Sequence, residues 1–272
     1  MLDELAWAGY SGTELGDWGF MPTDPKKLRA ELGARGLSMI GSWVTVRLYD
    51  PSYHHRGLEQ AVKVARLLAE VGGSECIINI GDDHSTVHER HYNTGRIKKE
   101  HGLSESGWQI YAEGATKVAE AVKRETGLRC CLHQHGSTYV ETPEETEKFL
   151  SLTDPKLLGL CFDTGHYMLG GGDSVEGLKT YADRVWLVHF KDFNPNVVEE
   201  AKKNNWNYQD MIGHGVFSEL GRGKVDFPAV KKVLEDIGYS GWVTVEQDVL
   251  PGMGEPKESA KRNREYLKSI GI

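Results

Sequence analysis

The sequence predicts an α/β protein built as a (β/α) barrel, and three observations lead there. Short apolar runs alternate with helix-patterned segments seven times along the 272 residues, and strands alternating with helices make a parallel sheet. Six of the seven apolar runs end on a metal-type or acid/base side chain before the next helix begins. No Pro/Gly/Ser linker and no low-complexity tract interrupts the chain. Seven units in one undivided stretch favour a barrel over an open doubly wound sheet, with one domain spanning 1–272. A GxGxxG or Walker loop is absent from every strand-to-helix turn, which argues against a nucleotide-binding reading.

The elements follow in order. Leu2 to Ala8 reads as the end of a helix stopped by Gly9, and Thr13 to Gly16 as a short strand running into Asp17-Trp18-Gly19-Phe20. Asp24-Pro25 opens a helix through Leu32, with Asp as cap and Pro where its missing N–H costs nothing. Leu37 to Val46 is an apolar strand. Ala61, Val64, Ala65, Leu67 and Leu68 fall at helical spacing within a Leu58 to Val71 helix. Glu75 to Ile80 is a strand ending on Gly81-Asp82-Asp83-His84.

The charged stretch His88 to Leu103 reads as a loop, either a lid or binding loop or a solvated excursion. Ser104 opens a helix that runs to Thr126, and Leu128 to Leu132 is a strand ending in His133-Gln134-His135-Gly136. Thr142-Pro143-Glu144-Glu145 carries a capping box and starts the next helix. The strand Leu157 to Phe162 stops on Asp163, with His166 three residues on, and a helix spans Asp173 to Tyr181. Arg184 to Val188 is a strand leading into His189-Phe190-Lys191-Asp192. A second excursion, Asn194 to Val225, carries Trp206, His214 and Glu219. Then come a helix from Phe227 to Ile237, a strand from Trp242 to Val245 ending in Glu246-Gln247-Asp248, and a last helix from Pro256 to Ile270.

The net charge of −8 and the pI near 5.8 argue against nucleic acid, whose binding needs a basic footprint. No apolar run approaches a membrane span. Met1-Leu2-Asp3-Glu4-Leu5 carries acid where an export signal needs positive charge. Cys76, Cys130, Cys131 and Cys161 all lie in apolar runs without a CxxC, so buried thiols in a cytoplasmic enzyme are expected rather than disulfides.

The strand tips carry the chemistry. They are Glu14; Asp82, Asp83 and His84; His133 and His135; Asp163 and His166; His189, Lys191 and Asp192; Glu246 and Asp248. In a barrel these converge on one mouth. His, Asp, His and Glu from four successive late strands offer mixed N/O donors, which suit Mn²⁺, Co²⁺, Zn²⁺ or Fe²⁺ better than Ca²⁺ or Mg²⁺. Taken singly, Asp163 reads equally as a helix cap, and a strand-end His as a hydrogen-bonded surface residue. Four suitable tips in succession are harder to explain that way. A metal there polarises a polyol's carbonyl and hydroxyl while a nearby base takes the adjacent proton. Trp18, Phe20 and Trp43 offer apolar walls to a sugar ring, or ordinary core packing.

Several of these segments carry a resemblance. They are the run Gly12 to Phe20 (GTELGDWGF), His133-Gln134-His135-Gly136 with Tyr139 to Pro143, Cys161-Phe162-Asp163-Thr164-Gly165-His166-Tyr167, Val188 to Asp192, Gly213 to Phe217 and Val245-Glu246-Gln247-Asp248. Over almost the whole chain the sequence resembles the inosose dehydratase family of the xylose-isomerase-like sugar phosphate isomerase/epimerase superfamily. The DTGH and VEQD segments are shared across that superfamily; GTELGDWGF and the loop around His214 are more specific to the dehydratases.

The resemblance implies a TIM (β/α)8-type barrel with a divalent metal at its mouth, Mn²⁺ or Co²⁺ first and Zn²⁺ or Fe²⁺ as alternatives. It implies His133, Asp163, His189 and Glu246 as ligands, with His135 competing with His133 for one place. It implies dehydration of 2-keto-myo-inositol in inositol catabolism, with Glu14, Trp18, His135 and His214 toward the substrate. His166 would be a substrate contact or a partner of Asp163, and the base would be Glu246, Lys191 or Glu219.

Two departures stand out. Epimerases of the superfamily carry Glu at the position of His133 and use two facing carboxylates, so a lyase with one main base fits this chain better. Family members also have a strand before the helix ending at Gly9, so either the start is misassigned or the expected barrel lacks its first strand. Such a gap leaves an unpaired edge and makes a homo-oligomer attractive. The competing expectations are an isomerase or epimerase of the same superfamily and an inactive metal-binding paralogue. An endonuclease is opposed by the acidic balance. The expected partner is a small polyol or sugar, with no nucleic acid and no membrane.

Overall fold

All seven expected strands form. The computed structural model describes residues 1–272. In chain order the elements are α1 (Leu2–Ala8), β1 (Gly12–Glu14), α2 (Pro25–Gly33), β2 (Ser38–Thr45), α3 (His54–Gly72), β3 (Ile77–Gly81), α4 (His88–Asn93), α5 (Glu105–Thr126), β4 (Arg129–His133), α6 (Pro143–Ser151), β5 (Leu158–Asp163), α7 (Thr164–Leu169), α8 (Ser174–Thr180), β6 (Val185–Phe190), α9 (Pro195–Asn204), α10 (Tyr208–Gly213), α11 (Phe227–Asp236), β7 (Val243–Val245) and α12 (Pro256–Ser269). The sheet order is the chain order, β1 to β7, and the strand pairs run parallel. Sequential parallel order with helical crossovers is the barrel pattern. The count of seven strands matches the expectation of one strand fewer than eight. No helix is long and apolar enough to cross a membrane.

The two stretches expected as loops carry helices of their own. Pro195 sits in the first turn of α9 and Asn194 caps it. Asn207 and Asp210 form a reciprocal capping box on α10, with bonds of 3.0 and 2.9 Å. Both are start signals of the usual kind, masked in sequence by polar neighbours. α4 has no side-chain cap. It is held instead by buried Arg90, described below.

The chain divides into two compact units. The first comprises 1–83, 103–133 and 149–161. Here β1 to β4 pair in sequence, and His133 at the end of β4 lies opposite Cys161. The helix layer is α3 against α5. α3 buries Ala61, Val64, Ala65, Leu67 and Leu68, and α5 buries Ala112, Ala115, Val118, Ala119 and Val122. Each Val or Leu so buried contributes roughly 1.5–3 kcal/mol before entropy is counted. Small residues on α5 allow a close crossing: a Cβ on Gly114 would sit 2.6 Å from His54 Nε2. At the strand tips, Asp82 Oδ1 accepts the Leu48 N–H (2.9 Å) and Arg47 pairs with Asp83 (3.2 Å). The Trp43 ring lies directly over Gly81 and meets the His133 ring edge-on, with centroids 5.3 Å apart.

The second unit comprises 84–102, 134–148 and 162–272. β6 and β7 pair through Val188–Val243, His189–Thr244 and Phe190–Val245. α7 starts directly after Asp163, the residue that ends β5 and caps the helix. Its Thr164 Oγ1 donates to Lys191 O (2.7 Å) and accepts from Lys191 N (3.0 Å). Gly165 has no room for a side chain, since a Cβ there would meet Lys191 at 2.8 Å. This close seat fixes Asp163 relative to the end of β6.

A second network anchors the 134–145 segment. Arg90, fully buried, reaches Glu145 through both terminal nitrogens (2.7 and 2.8 Å) and the Thr138 carbonyl through Nε (2.7 Å). Glu145 also closes the expected capping box with Thr142, at 3.1 and 3.3 Å. Glu141 accepts the N–H of Gly95 and of Ser137, both at 2.7 Å.

Candidate active site

Three strand ends of the second unit build the site. Side chains two apart on a strand share a face, so His189 and Lys191 project together, as do Glu246 and Asp248. The β6–β7 ladder extends one step further through Glu246 N–H to the Phe190 carbonyl (3.0 Å), which fixes where Glu246 stands. The outcome is a tight charge cluster. Lys191 Nζ lies 2.6 Å from Glu246 Oε1 and 2.9 Å from Asp248 Oδ2. His189 Nδ1 lies 2.8 Å from Glu246 Oε2 and 3.9 Å from Asp163 Oδ2.

The two carboxylate oxygens of Asp163 have different neighbours. Its Oδ1 caps α7 by accepting the His166 N–H at 2.7 Å. Its Oδ2 faces His189. The cap therefore sets the orientation of the other oxygen. Asp163, His189 and Glu246 each offer a donor atom within 4.8 Å of the others. Asp163 is fully buried and His189 nearly so.

Electrostatics show what this cluster wants. Burial, and next the Glu246 carboxylate, push Asp163 up to about 7, against the pull of Lys191 and His189. Burial alone would lower the Lys191 pKa, but Asp248, Glu246 and Asp163 together outweigh it and raise it. Lys191 is therefore a cation throughout the neutral range. A divalent ion fits the donor set on two counts: the donors are mixed nitrogen and oxygen, and its charge would relieve the crowding of Asp163 and Glu246.

The wall beside this cluster is aromatic. His166 Nδ1 accepts the Gly136 N–H at 3.1 Å, so the neutral ring carries its proton on Nε2. His135 Nδ1 lies 2.7 Å from the Gly136 carbonyl, and its ring packs on His166 with centroids 3.8 Å apart. His135, His166 and Glu246 also offer donor atoms within 4.8 Å of one another. That is a poorer cation site, because the Nδ1 of His166 is engaged and its Nε2 bears hydrogen. His84 stacks near His135 (5.4 Å). Buried Tyr208 stands edge-on to His84 (5.7 Å) and His135 (5.8 Å). Phe217 meets His166 at 4.6 Å, and Lys191 Nζ lies 4.5 Å from the Phe217 ring centre.

Two residues expected near the chemistry lie outside this group. Glu219 is ion-paired with Arg262 (2.6 Å) and Arg222 (3.3 Å), and the Arg262 contact holds its carboxyl below the usual range. His214 is exposed past the end of α10, bonded to the Asp210 carbonyl (2.7 Å) and stacked on Trp206 (3.7 Å). In the first unit, Glu14 closes β1, His133 closes β4 and is buried, and Trp18 is 37% exposed beneath Lys63 Nζ at 3.9 Å. Sequence reading missed Tyr208, Phe217 and Gln134, whose Nε2 donates to the Asp163 carbonyl at 2.8 Å. The capping box at Asn207 was the available signal for a helix that presents Tyr208; nothing local marks Phe217.

Parallel strands in sequential order define a TIM-barrel protein, and its last three strand ends carry a carboxylate–imidazole set that could hold a divalent ion. The chain belongs to the xylose isomerase-like TIM barrel family, whose model matches residues 2–270. It is 33% identical over 267 residues to the inosose dehydratase of Clostridium perfringens strain ATCC 13124, covering 98% of this chain and 88% of the relative. To the inosose dehydratase of Geobacillus kaustophilus strain HTA426 it is 32% identical over 277 residues, covering 99% and 86%. Among solved structures, an L-ribulose 3-epimerase aligns with TM-score 0.74 at 17% identity, covering 99% of this chain and 86% of that one. The IOLI protein, solved with a zinc atom bound, aligns at 0.71 and 14%, covering 99% and 91%. At those identities the structural likeness speaks for the fold alone.

Proposed function

We propose that this protein is a metal-dependent hydro-lyase that removes water from 2-keto-myo-inositol (inosose) or a related cyclic polyol ketone. The observation that carries the reading is the Asp163–His189–Glu246 donor set braced by Lys191, in a chain one-third identical to inosose dehydratases over nearly its whole length. His133, expected from the sequence as a further ligand, closes β4 in the first unit. His135, packed on His166, takes the part of a substrate contact. Mn²⁺ or Co²⁺ is the proposed ion.

A divalent ion bound there supplies a Lewis acid for the carbonyl oxygen and stabilises the negative charge that develops as the adjacent proton leaves. The remaining work falls to the side chains. Lys191, held as a cation, is no base; it fixes Glu246 through Oε1. Glu219 is committed to Arg262. Glu246, partly exposed and held by Lys191 and His189, is the base we assign among the three candidates. It takes the proton next to the carbonyl and delivers it to the hydroxyl departing from the following carbon. A C–H and a C–O bond break, a C=C bond forms and one water leaves, so a single base balances the reaction. His166 presents its Nε2–H to a substrate oxygen.

The test is mass spectrometry of 2-keto-myo-inositol incubated with metal-stripped protein, with and without Mn²⁺ or Co²⁺. Metal-dependent loss of one water is expected. Deuterium uptake from D₂O without loss of water would replace the lyase reading by an isomerase or epimerase.

A further inference from the structure

Asp192, just past β6, is 1% exposed and is fully occupied by backbone. Its Oδ1 accepts the N–H of Phe193 (2.8 Å) and Val225 (3.0 Å). Its Oδ2 accepts the N–H of Gly221 (2.9 Å) and Gly223 (2.8 Å). Four backbone N–H groups converging on one buried side chain make a firm clasp. Lys224 N–H to Phe193 O ties the same segment down, and Asn194 N–H to Val216 O holds the residue just before it, both at 2.8 Å. Gly223 admits no side chain, because a Cβ would press on Asp192 Oδ1 and the Phe193 carbonyl.

The clasped segment begins with Phe217, which is 2% exposed. Its ring is the surface that both His166 and Lys191 meet, and its carbonyl accepts from Gln247 Nε2 (3.3 Å). An apolar ring there helps keep water from the buried Lys191 ammonium and strengthens its charge interactions.

We propose that Asp192 is a positioning residue: by gathering the N–H groups of Gly221, Gly223 and Val225, it seats the 217–225 segment so that Phe217 walls His166 and Lys191. The seating stands on geometry alone; the kinetic consequence rests on the dehydratase reading. A misplacement of about 1 Å costs on the order of 10²-fold in turnover.

The experiment uses the full chain with Zn²⁺ present and histidine-selective ¹³C labelling. The His166 ring signal is identified by its loss in His166→Gln. Phe217→Leu defines where that signal falls without the ring. Asp192→Asn and Gly223→Ala are each expected to move it toward the Phe217→Leu position. In Asp192→Asn/Phe217→Leu it should move no further than in Phe217→Leu alone, and the losses in turnover should be non-additive. A His166 signal unmoved in both Asp192→Asn and Gly223→Ala, or losses that add in full, would overturn the proposal. Gly223→Ala keeps the carboxylate, so it decides the matter should Asp192→Asn not fold. The resonance shift needs no turnover, so failure of the seating and failure of the dehydratase reading are told apart.

Discussion

Replacing Asp163 by Asn separates what this residue does for the fold from what it does for the ion. Asn caps a helix about as well as Asp, so the bond from His166 N–H to Oδ1 survives. What disappears is a buried carboxylate pushed from 3.8 up to about 7 by burial and by Glu246. The folded protein binds this proton more tightly than the unfolded chain. The stabilisation is therefore complete below the unfolded value near pH 4 and is lost as pH rises through about 7. A rise of roughly three units at about 1.4 kcal/mol each puts the cost of ionising Asp163 near 4 kcal/mol by pH 8. In chelator, Asp163→Asn should then melt roughly 5–10 °C above the parent at pH 8, with the gap closing toward pH 4. With metal the order reverses: the variant should lose at least about 10²-fold in metal affinity and lose metal-supported turnover with it. Calorimetry at the two pH values, each with chelator or with Mn²⁺, gives all four numbers. Equal melting at pH 8 in chelator would refute the assigned electrostatics, and intact metal-supported turnover would remove Asp163 from the ligand set.

Other outcomes follow from the same contacts. Arg90→Met leaves Glu145 without its bidentate partner in a buried network and should cost about 3–5 kcal/mol in urea unfolding. Glu219→Gln breaks a surface pair with Arg262, so stability should fall by no more than about 1 kcal/mol, and kcat should hold if Glu246 is the base. His214→Ala removes an exposed imidazole stacked on Trp206, and its melting point should shift by the equivalent of about 0.5 kcal/mol or less.

The strands were legible because burial on both faces makes each of them a short apolar run bounded by turn residues, as in Ile77–Gly81 and Leu158–Asp163. Caps were legible for the same local reason: Asp24 and Thr142 do in the structure what their spacing implies. The helices within 88–102 and 194–225 were not. α4 exists because Arg90 is buried against Thr138 and Glu145, partners 48 and 55 residues away. No window of sequence shows a contact of that range.

The candidate site divides along the same line. Residue types at strand ends were visible, so Asp163, His189 and Glu246 could be named as donors before any geometry. Their division of labour was not, since it depends on register. One step of slip between β6 and β7 would turn Glu246 to the other face and break both the His189 and the Lys191 contacts. With the observed register, Lys191 is enclosed by carboxylates 55 and 57 residues on, and a residue that sequence alone left open as a base becomes a fixed cation. The same register brings Asp192 to the point where it can clasp Gly221, Gly223 and Val225. A run of four residues, His189 to Asp192, thus supplies a donor, a cation and an anchor, each defined by what the neighbouring segment brings to it.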